Sequence, residues 1–221
     1  MTDWVKLVSI FVEACGVAAF AISAAIVSIR KRADIVGVLV LAETTVFGGG
    51  IIRDVILGIT PPHVFWDKQY IALSLLTAVI AAACYILAFS RRASAFLDRH
   101  RNDFWLNLFD SIGLAVYCVS GINTAIEAGY GQNEWLLVFA GCITGVGGGV
   151  LRDVLSSELP LIFRKRVYFL PVLIGSVLYA FIFPYLPQLA AMLIAIAVIL
   201  ALRVLAIVFR WNLPTPPQGD Q

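Results

Sequence analysis

The sequence predicts an all-α integral membrane protein with seven transmembrane helices, arranged as two inverted three-helix repeats followed by a seventh helix. Of the 221 residues, 61% are hydrophobic and only 14% are charged, whereas a soluble domain carries about 25% charged residues. The apolar residues form runs long enough to cross a bilayer as helices. The motif Gly-Gly-Gly-x-x-Arg-Asp occurs at residues 48–54 and again at residues 147–153. These three observations predict the fold class.

The candidate spans follow from length, because a helix needs about 20 apolar residues to cross the hydrocarbon core. Proline residues 184 and 187 bound a tight turn before the last span. We therefore expect one membrane domain over residues 1–213, and we expect the Pro-rich, polar tail at 214–221 to be disordered. The spans lie near residues 5–29, 34–59, 69–90, 104–126, 134–156, 167–186 and 188–210.

The repeat extends beyond the glycine motif. Thr45 aligns with Thr144 at an offset of 99 residues, and Glu13 aligns with Asp110 at an offset of 97. The first repeat therefore covers about residues 5–90, the second about 104–186, and helix seven about 188–210. Because each repeat contains three spans, the second must cross the membrane in the opposite direction, an arrangement associated with transport proteins. The offset of 97 also pairs Gly16 with Gly113, Phe20 with Tyr117, and Ser23 with Ser120.

The basic residues predict the orientation in the inner (plasma) membrane. Twelve of them flank alternate connections, and the opposite side has only Lys6 and Lys68. The positive-inside bias therefore places the N-terminus outside and the C-terminus in the cytoplasm. The net charge of +2 and the lack of a basic, aromatic-interleaved patch exclude a nucleic-acid partner. The twelve are Arg30, Lys31, Arg32, Arg91, Arg92, Arg99, Arg101, Arg164, Lys165, Arg166, Arg203 and Arg210.

Both glycine triplets lie near the middle of a span. A glycine inside a helix costs about 1 kcal/mol relative to alanine, so three together form a weak point. One interpretation is tight helix packing through small residues. We favour the other, in which the helix kinks or unwinds and lines a path through the membrane. The glycines concerned are Gly48, Gly49 and Gly50 in the second span and Gly147, Gly148 and Gly149 in the fifth.

Arg53 and Arg152 lie within spans, where a charge costs roughly 2.5–3.5 kcal/mol on insertion scales and must face the bundle interior or water. They either pair structurally or form a charged lining. Neighbouring side chains on a helix point about 100° apart, so Asp54 and Asp153 are poor direct partners unless the helix is broken. Better candidates are the acids at repeat-equivalent places in the first and fourth spans, Glu13 and Asp110.

Three further features concern polar residues. Glu43 is an intramembrane acid whose aligned residue is Cys142, so it breaks the symmetry of the repeat. Thr45 and Thr144 either bond to their own helix carbonyls or line the path. His63 stands alone in a connection and is predicted to be a surface residue. The sequence predicts no catalytic set, no cofactor and no metal site, and hence no enzyme.

With the duplicated motif, the repeat and the seventh helix, the chain resembles the prokaryotic trimeric intracellular cation channels, a family also labelled as a bacterial glycine transporter domain. The resemblance covers about residues 5–210. It implies a homotrimer in which each subunit has a hydrophilic pore that conducts potassium and some sodium. It also implies that helices 2 and 5 kink at the two glycine triplets and line the pore. Arg53 and Arg152 would be the basic residues of that pore.

Two functions remain open at this point. In the first, the chain is a potassium-permeable channel in which Arg53, Arg152, Thr45 and Thr144 line or gate the pore together with the motif aspartates, Asp54 and Asp153. The intramembrane acids would offset the repulsion between the arginines and cations. In the second, the chain carries glycine or another small zwitterion, with an arginine holding the carboxylate. A membrane scaffold is a third and less informative alternative. A bacterial lipid is expected in a surface groove.

Overall fold

The structure is a computed structural model that describes residues 3–88, 99–163, 167–209 and 211. The predicted tail at 214–221 lies outside the described residues. These residues form seven α-helices joined by short connections. The helices are α1 (Asp3–Arg30), α2 (Ile35–Ile56), α3 (Lys68–Ala88), α4 (Arg99–Ala125), α5 (Glu134–Leu155), α6 (Phe169–Ile182) and α7 (Gln188–Val208).

The helices confirm the predicted all-α membrane fold, and the sixth is shorter than predicted. Six helices among the described residues are long and apolar enough to cross a membrane. Helix α6 has 14 residues, or about 21 Å at 1.5 Å per residue, which is less than the roughly 30 Å hydrocarbon core. Its last residue is Ile182, because the proline at 184 has no backbone N–H with which to continue the helical hydrogen bonds.

The two three-helix units begin their second helices in the same way. The carboxylate of Asp34 accepts a hydrogen bond from the backbone N–H of Gly37 at 2.8 Å, at the start of α2. The side-chain amide oxygen of Asn133 accepts one from the N–H of Leu136 at 3.1 Å, at the start of α5. Both residues satisfy free N–H groups at a helix N-terminus. The caps preserve the offset of 99 residues.

The same two helices also end alike. Gly58 follows α2 with φ of +75°, and Ser157 follows α5 with φ of +55°. This left-handed conformation closes a helix by turning later N–H groups back onto its last carbonyls. Ile59 N–H donates to Asp54 O, and Glu158 N–H donates to Asp153 O, both at 2.8 Å. The second unit therefore keeps the geometry although a serine replaces the glycine that tolerates it best.

The core lies where the first two helices of each unit pack together. Helix α1 packs against α4, and α2 packs against α5. Phe20 of α1 and Tyr117 of α4 stack with ring centroids 5.2 Å apart and planes 6° apart. These two aromatic residues are equivalent in the repeat, so the pseudo-symmetry passes between them. Helix α3 is mostly exposed, whereas α4 is mostly buried.

Candidate functional site

The glycine triplets lie at the crossing of α2 and α5. Both helices are continuous through the glycines, so the expectation of an unwound turn is wrong. A Cβ atom on Gly49 would collide with the carbonyl oxygen of Thr144, and a Cβ atom on Gly148 would collide with that of Thr45. Close backbone approach through small residues therefore explains the central glycines, and the contact is reciprocal between the two units. A role as a pore hinge for the six motif glycines stays a prediction.

The two threonines bond within their own helices. The hydroxyl of Thr45 donates to the Leu41 carbonyl, and that of Thr144 donates to the Ala140 carbonyl, both at 2.6 Å. Both side chains are buried at the crossing of α2 and α5. The back-bonding alternative therefore describes these residues in the present conformation.

In the first unit, Arg53 pairs with its sequence neighbour. Its Nε and Nη2 donate to Asp54 Oδ1 at 2.9 and 2.7 Å. The other carboxylate oxygen of Asp54 accepts from the backbone N–H of His63 at 2.9 Å and lies 3.0 Å from the ring Nδ1 of that histidine. Both members of the ion pair are only 2% exposed. His63 lies in a connection and its side chain is 23% exposed, but it contacts Asp54, so the expectation that it stands alone is wrong.

In the second unit, Arg152 has more partners. Its Nε donates to Asp153 Oδ1 at 2.9 Å, and its Nη1 donates to Asp110 Oδ1 at 2.8 Å and to Ser23 Oγ at 3.0 Å. Asp153 Oδ2 accepts from the backbone N–H of Leu161 at 2.9 Å, as Asp54 Oδ2 does from His63 in the first unit. The side chains of Arg152 and Asp110 are fully buried.

These contacts correct the predicted pairing. Asp54 and Asp153 are direct partners although the helices are intact, because the long arginine side chain reaches around the helix to a carboxylate about 100° away. Asp110 pairs with Arg152 as expected. Glu13 does not pair with Arg53: among the described residues, Asp54 is the acid within 4.0 Å of that arginine. Glu13 instead accepts hydrogen bonds from Gln69 and Ser120.

A third buried arginine was missed. Arg203 of α7 is 1% exposed, although sequence reasoning counted it with the basic residues of a connection. Its Nε donates to Ser111 Oγ at 3.0 Å, its Nη2 lies 3.9 Å from Asp110 Oδ2, and its guanidinium lies 4.4 Å from the centre of the Tyr168 ring. It is the one charged residue between 188 and 208, and this isolation in an apolar run was the available signal.

Two repeat-equivalent serines link the units. Ser23 of α1 accepts from Arg152 in the second unit, whereas Ser120 of α4 donates to Glu13 Oε1 in the first unit at 2.9 Å. Each unit therefore supplies one hydroxyl to the charged group of the other. The repeat in the sequence predicts that Ser23 and Ser120 are equivalent, but it does not predict that each contacts a charged residue of the other unit.

Glu43 occupies a separate place. Its Oε2 accepts from the hydroxyl of Ser74 at 2.9 Å, between α2 and α3. In the second unit, the aligned Cys142 has its sulfur 3.6 Å from the hydroxyl of Ser176, between α5 and α6. Both aligned residues contact a serine of the following helix, although Ser176 lies three residues beyond the position equivalent to Ser74, and only the first unit carries the charge.

Two large cavities approach the ion pairs from opposite ends of α1 and α4. The first, which we call the Glu13 cavity, has a volume of about 470 Å³. A much smaller cavity of about 10 Å³, which Arg53 and Asp54 line, shares Tyr70 and Ser120 with it. The Glu13 cavity is lined by Ser9, Ile10, Val12, Glu13, His63, Asp67, Gln69, Tyr70, Val116, Ser120, Asn123, Thr124, Glu127, Gln188 and Met192.

The second, which we call the Lys31 cavity, has a volume of about 640 Å³ and reaches Asp153 of the second ion pair. At its mouth, Lys31 lies 2.6 Å from Glu158 and Arg30 lies 2.9 Å from Asp103. The lining of the Lys31 cavity therefore contains both acidic and basic side chains, and some of them form ion pairs.

The fold and the site define a multi-pass membrane protein built from two related three-helix units, each with a buried Arg–Asp pair. The sequence model of the glycine transporter family matches residues 10–86 and residues 107–184, which correspond to the two units. The chain therefore belongs to this family, which is the family of TRIC channels.

Relatives of similar length support this assignment. The inner membrane protein YadS of Escherichia coli K12 is 35% identical over 208 residues, which are 93% of this chain and 94% of YadS. A solved structure that explains conductance through TRIC cation channels is 34% identical, with a TM-score of 0.80 and coverage of 96% and 98% of the two chains. A TRIC orthologue from Rhodobacter sphaeroides is 28% identical, with a TM-score of 0.80 and coverage of 92% and 98%. These solved neighbours are channels, and the chain is not an enzyme.

Proposed function

We propose that the chain forms a potassium-permeable, monovalent cation channel, a homotrimer in which each subunit has its own hydrophilic pore. The observation that carries the proposal is the pair of large cavities: one adjoins the small cavity that Arg53 and Asp54 line, and the other is lined by Asp153. The residues that line them are about 15–20 positions apart on α1, or about 25 Å along its axis. The two cavities thus account for most of the thickness of a bilayer core.

The present conformation is closed between the cavities. Arg53 and Arg152 are almost fully buried, and α2 and α5 touch through their backbones at Gly49 and Gly148. We infer that opening separates α2 from α5 at the glycine crossing, where the absence of side chains leaves little to move. In this proposal the six motif glycines act as a hinge, and the motif arginines and aspartates line or gate the pore.

The charge balance supports cation permeation. Arg53 is paired with Asp54, and the two arginines of the second site, Arg152 and Arg203, face two acids. These pairs remove most of the repulsion that an isolated arginine would exert on a cation. Glu13 then adds a negative charge to the wall of the first cavity.

We further infer that the second unit is inverted and that the N-terminus lies outside the inner membrane, with potassium as the main ion and sodium as a lesser one. The Lys31 cavity, beside the basic connection after α1, would then open to the cytoplasm. Membrane lipid would fill grooves on the outer surface. The single domain at 1–213 and the tail at 214–221 belong to the same proposal.

Recording from purified protein in planar bilayers tests the proposal. With potassium chloride on both sides and no added amino acid, we expect discrete unitary currents. A potassium gradient should give a reversal potential close to that of a cation-selective pore. Saturable glycine uptake into proteoliposomes without unitary currents would instead establish the alternative, a carrier for glycine or a similar zwitterion.

The variant Arg53→Ala sharpens this test. Removing the arginine leaves Asp54 with the His63 contacts alone, so the pore gains net negative charge. We expect a larger potassium conductance or a changed open probability, with the trimer peak in size-exclusion chromatography unaltered. Conduction identical to that of the parent protein would show that Arg53 has only a structural role.

A further inference from the structure

The lining of the Glu13 cavity has an excess of negative charge. Glu13, Asp67 and Glu127 contribute carboxylates, and among the lining side chains that the structure describes there is no lysine or arginine. Of these described side chains, His63 is the one that can become cationic, and its ring already contacts Asp54. A cation in the cavity would therefore meet attraction from several of the described side chains.

Glu13 is the best placed of these acids. Its Oε2 accepts from Gln69 Nε2 at 2.7 Å, and its Oε1 accepts from Ser120 Oγ at 2.9 Å. Within the described residues, no basic nitrogen lies within 4.0 Å of the carboxylate, because its neighbours are neutral. A partly buried carboxylate held by neutral donors favours a cationic ligand. The two hydrogen bonds also fix the direction in which its free lone pairs point.

Two hydroxyl groups in the wall of the cavity are available only as acceptors. Ser9 donates its proton to the Val5 carbonyl at 2.9 Å, and Thr124 donates to the Ser120 carbonyl at 3.0 Å. Since a hydroxyl has one proton, each of these groups offers only lone pairs to the cavity. The wall is therefore rich in acceptors and suits a ligand that brings its own donors.

A buried phenol beside the small adjoining cavity has no hydrogen-bond partner within the part of the chain that the structure describes. Tyr117 is 4% exposed, and its hydroxyl has no hydrogen-bond partner among the described residues. It lines the cavity of about 10 Å³ that shares Tyr70 and Ser120 with the Glu13 cavity. A buried hydroxyl usually has a partner, and the small cavity beside it has room for a water-sized polar group that would supply one.

Building on the proposed function, we propose that the Glu13 cavity binds one small primary ammonium ion, with the Glu13 carboxylate as its anionic ligand, and that the bound ion blocks potassium current. A primary ammonium has three N–H donors and no acceptor, which matches a wall of carboxylates and hydroxyl lone pairs. A zwitterion fits less well, because its carboxylate would face three acids, and Arg53 is buried and held by Asp54. The volume of about 470 Å³ admits a short alkyl chain.

Block of unitary potassium currents by ethylammonium tests this inference, with tetramethylammonium as the matched ligand because it has the same charge but no N–H donor. We expect ethylammonium to block from one side of the bilayer only, and more strongly than tetramethylammonium. In Glu13→Gln, which keeps the size of the side chain but removes its charge, the half-blocking concentration should rise at least about tenfold, as for one lost charge-assisted hydrogen bond. Equal block by the two ions in the parent protein would overturn the inference.

The matched control variant is Glu43→Gln. Glu43 is also a partly buried glutamate within a span and also accepts from a serine hydroxyl, but it is not among the residues that line the Glu13 cavity. We expect the ethylammonium block of this variant to equal that of the parent protein. A similar loss of block in both glutamine variants would overturn the assignment of Glu13 as the ligand.

Thermal unfolding in detergent separates this inference from the proposed function, because it requires no current. At constant ionic strength, ethylammonium should raise the unfolding temperature of the parent protein by binding its folded state, and should raise that of Glu13→Gln less. If this shift is found without potassium current, the site stands and the channel function fails. If current is found but ethylammonium neither blocks it nor shifts unfolding, the channel stands and the ammonium site fails.

Discussion

The two Arg–Asp motifs have nearly the same sequence and the same local geometry, yet they occupy different surroundings. Arg53 is held by one carboxylate, which a histidine backbone and ring also contact, next to a cavity. Arg152 is held by two carboxylates and a serine, with Arg203 on the far side of Asp110. The motif thus determines the local ion pair, whereas the other helices determine how many further charged and polar partners that pair has.

The difference suggests that the two sites contribute unequally to the stability of the fold. The second cluster links α1, α4, α5 and α7 through side chains that are almost fully buried. Breaking a buried pair is costly because one charge loses its partner. We therefore expect the second site to contribute more to stability than the first.

The largest expected effect comes from Asp110→Asn. This change leaves Arg152 and Arg203 facing one acid instead of two, and the loss of a buried charge partner costs about 3–5 kcal/mol. Thermal unfolding in detergent should show a large loss of stability, and Glu13→Gln should lose much less because its partners are neutral. Equal losses of stability in the two variants would contradict the expectation that the second site contributes more to stability than the first.

A smaller effect is expected at the glycine crossing. In Gly148→Ala the new methyl group would collide with the Thr45 carbonyl, whereas in Gly50→Ala it would come no closer than 3.6 Å to its nearest neighbour, the Arg53 guanidinium. Overpacking costs about 1–3 kcal/mol, but a tolerated alanine stabilises a helix by up to about 1 kcal/mol relative to glycine.

We therefore expect Gly148→Ala to lower the unfolding temperature or the trimer yield, and Gly50→Ala to leave both equal or raised. If both variants lose stability alike, the close approach of α2 and α5 at Gly148 does not explain the glycine triplet.

The smallest difference between two paired variants is expected at the two serines. Ser23→Ala removes an acceptor from the buried Arg152, and Ser120→Ala removes a donor from the partly buried Glu13 beside the cavity. A hydrogen bond to a charged group contributes about 1.5–3 kcal/mol when it is buried, and water in the cavity can replace the one at Glu13. Ser23→Ala should therefore destabilise the fold more than Ser120→Ala, as measured by unfolding temperature. The reverse order would show that the first site is the more tightly closed of the two.

Much of the fold could be predicted because it depends on local patterns. The spans were placed within a few residues, except at α6, where hydrophobicity continues past the helix end at Ile182. The candidate site was predicted less completely. The angle of about 100° between neighbouring side chains on a helix argued against Asp54 and Asp153 as partners of the arginines. The arginine side chain is long and flexible, however, and it reaches the neighbouring carboxylate. Arg203 was missed because a charge near a helix end was taken to face water.

The sequence by itself determined the membrane class, the helix positions, the repeat and the paired motifs, because hydropathy, length and residue offsets are properties of the chain. Only the tertiary structure decided which charges meet. Ser23 and Arg152 are 129 residues apart, and Ser111 and Arg203 are 92 apart, so their contacts depend on how the helices pack. The same packing gives Arg53 one acidic partner and Arg152 two, since the partners on other helices are a property of the assembled structure and not of the motif.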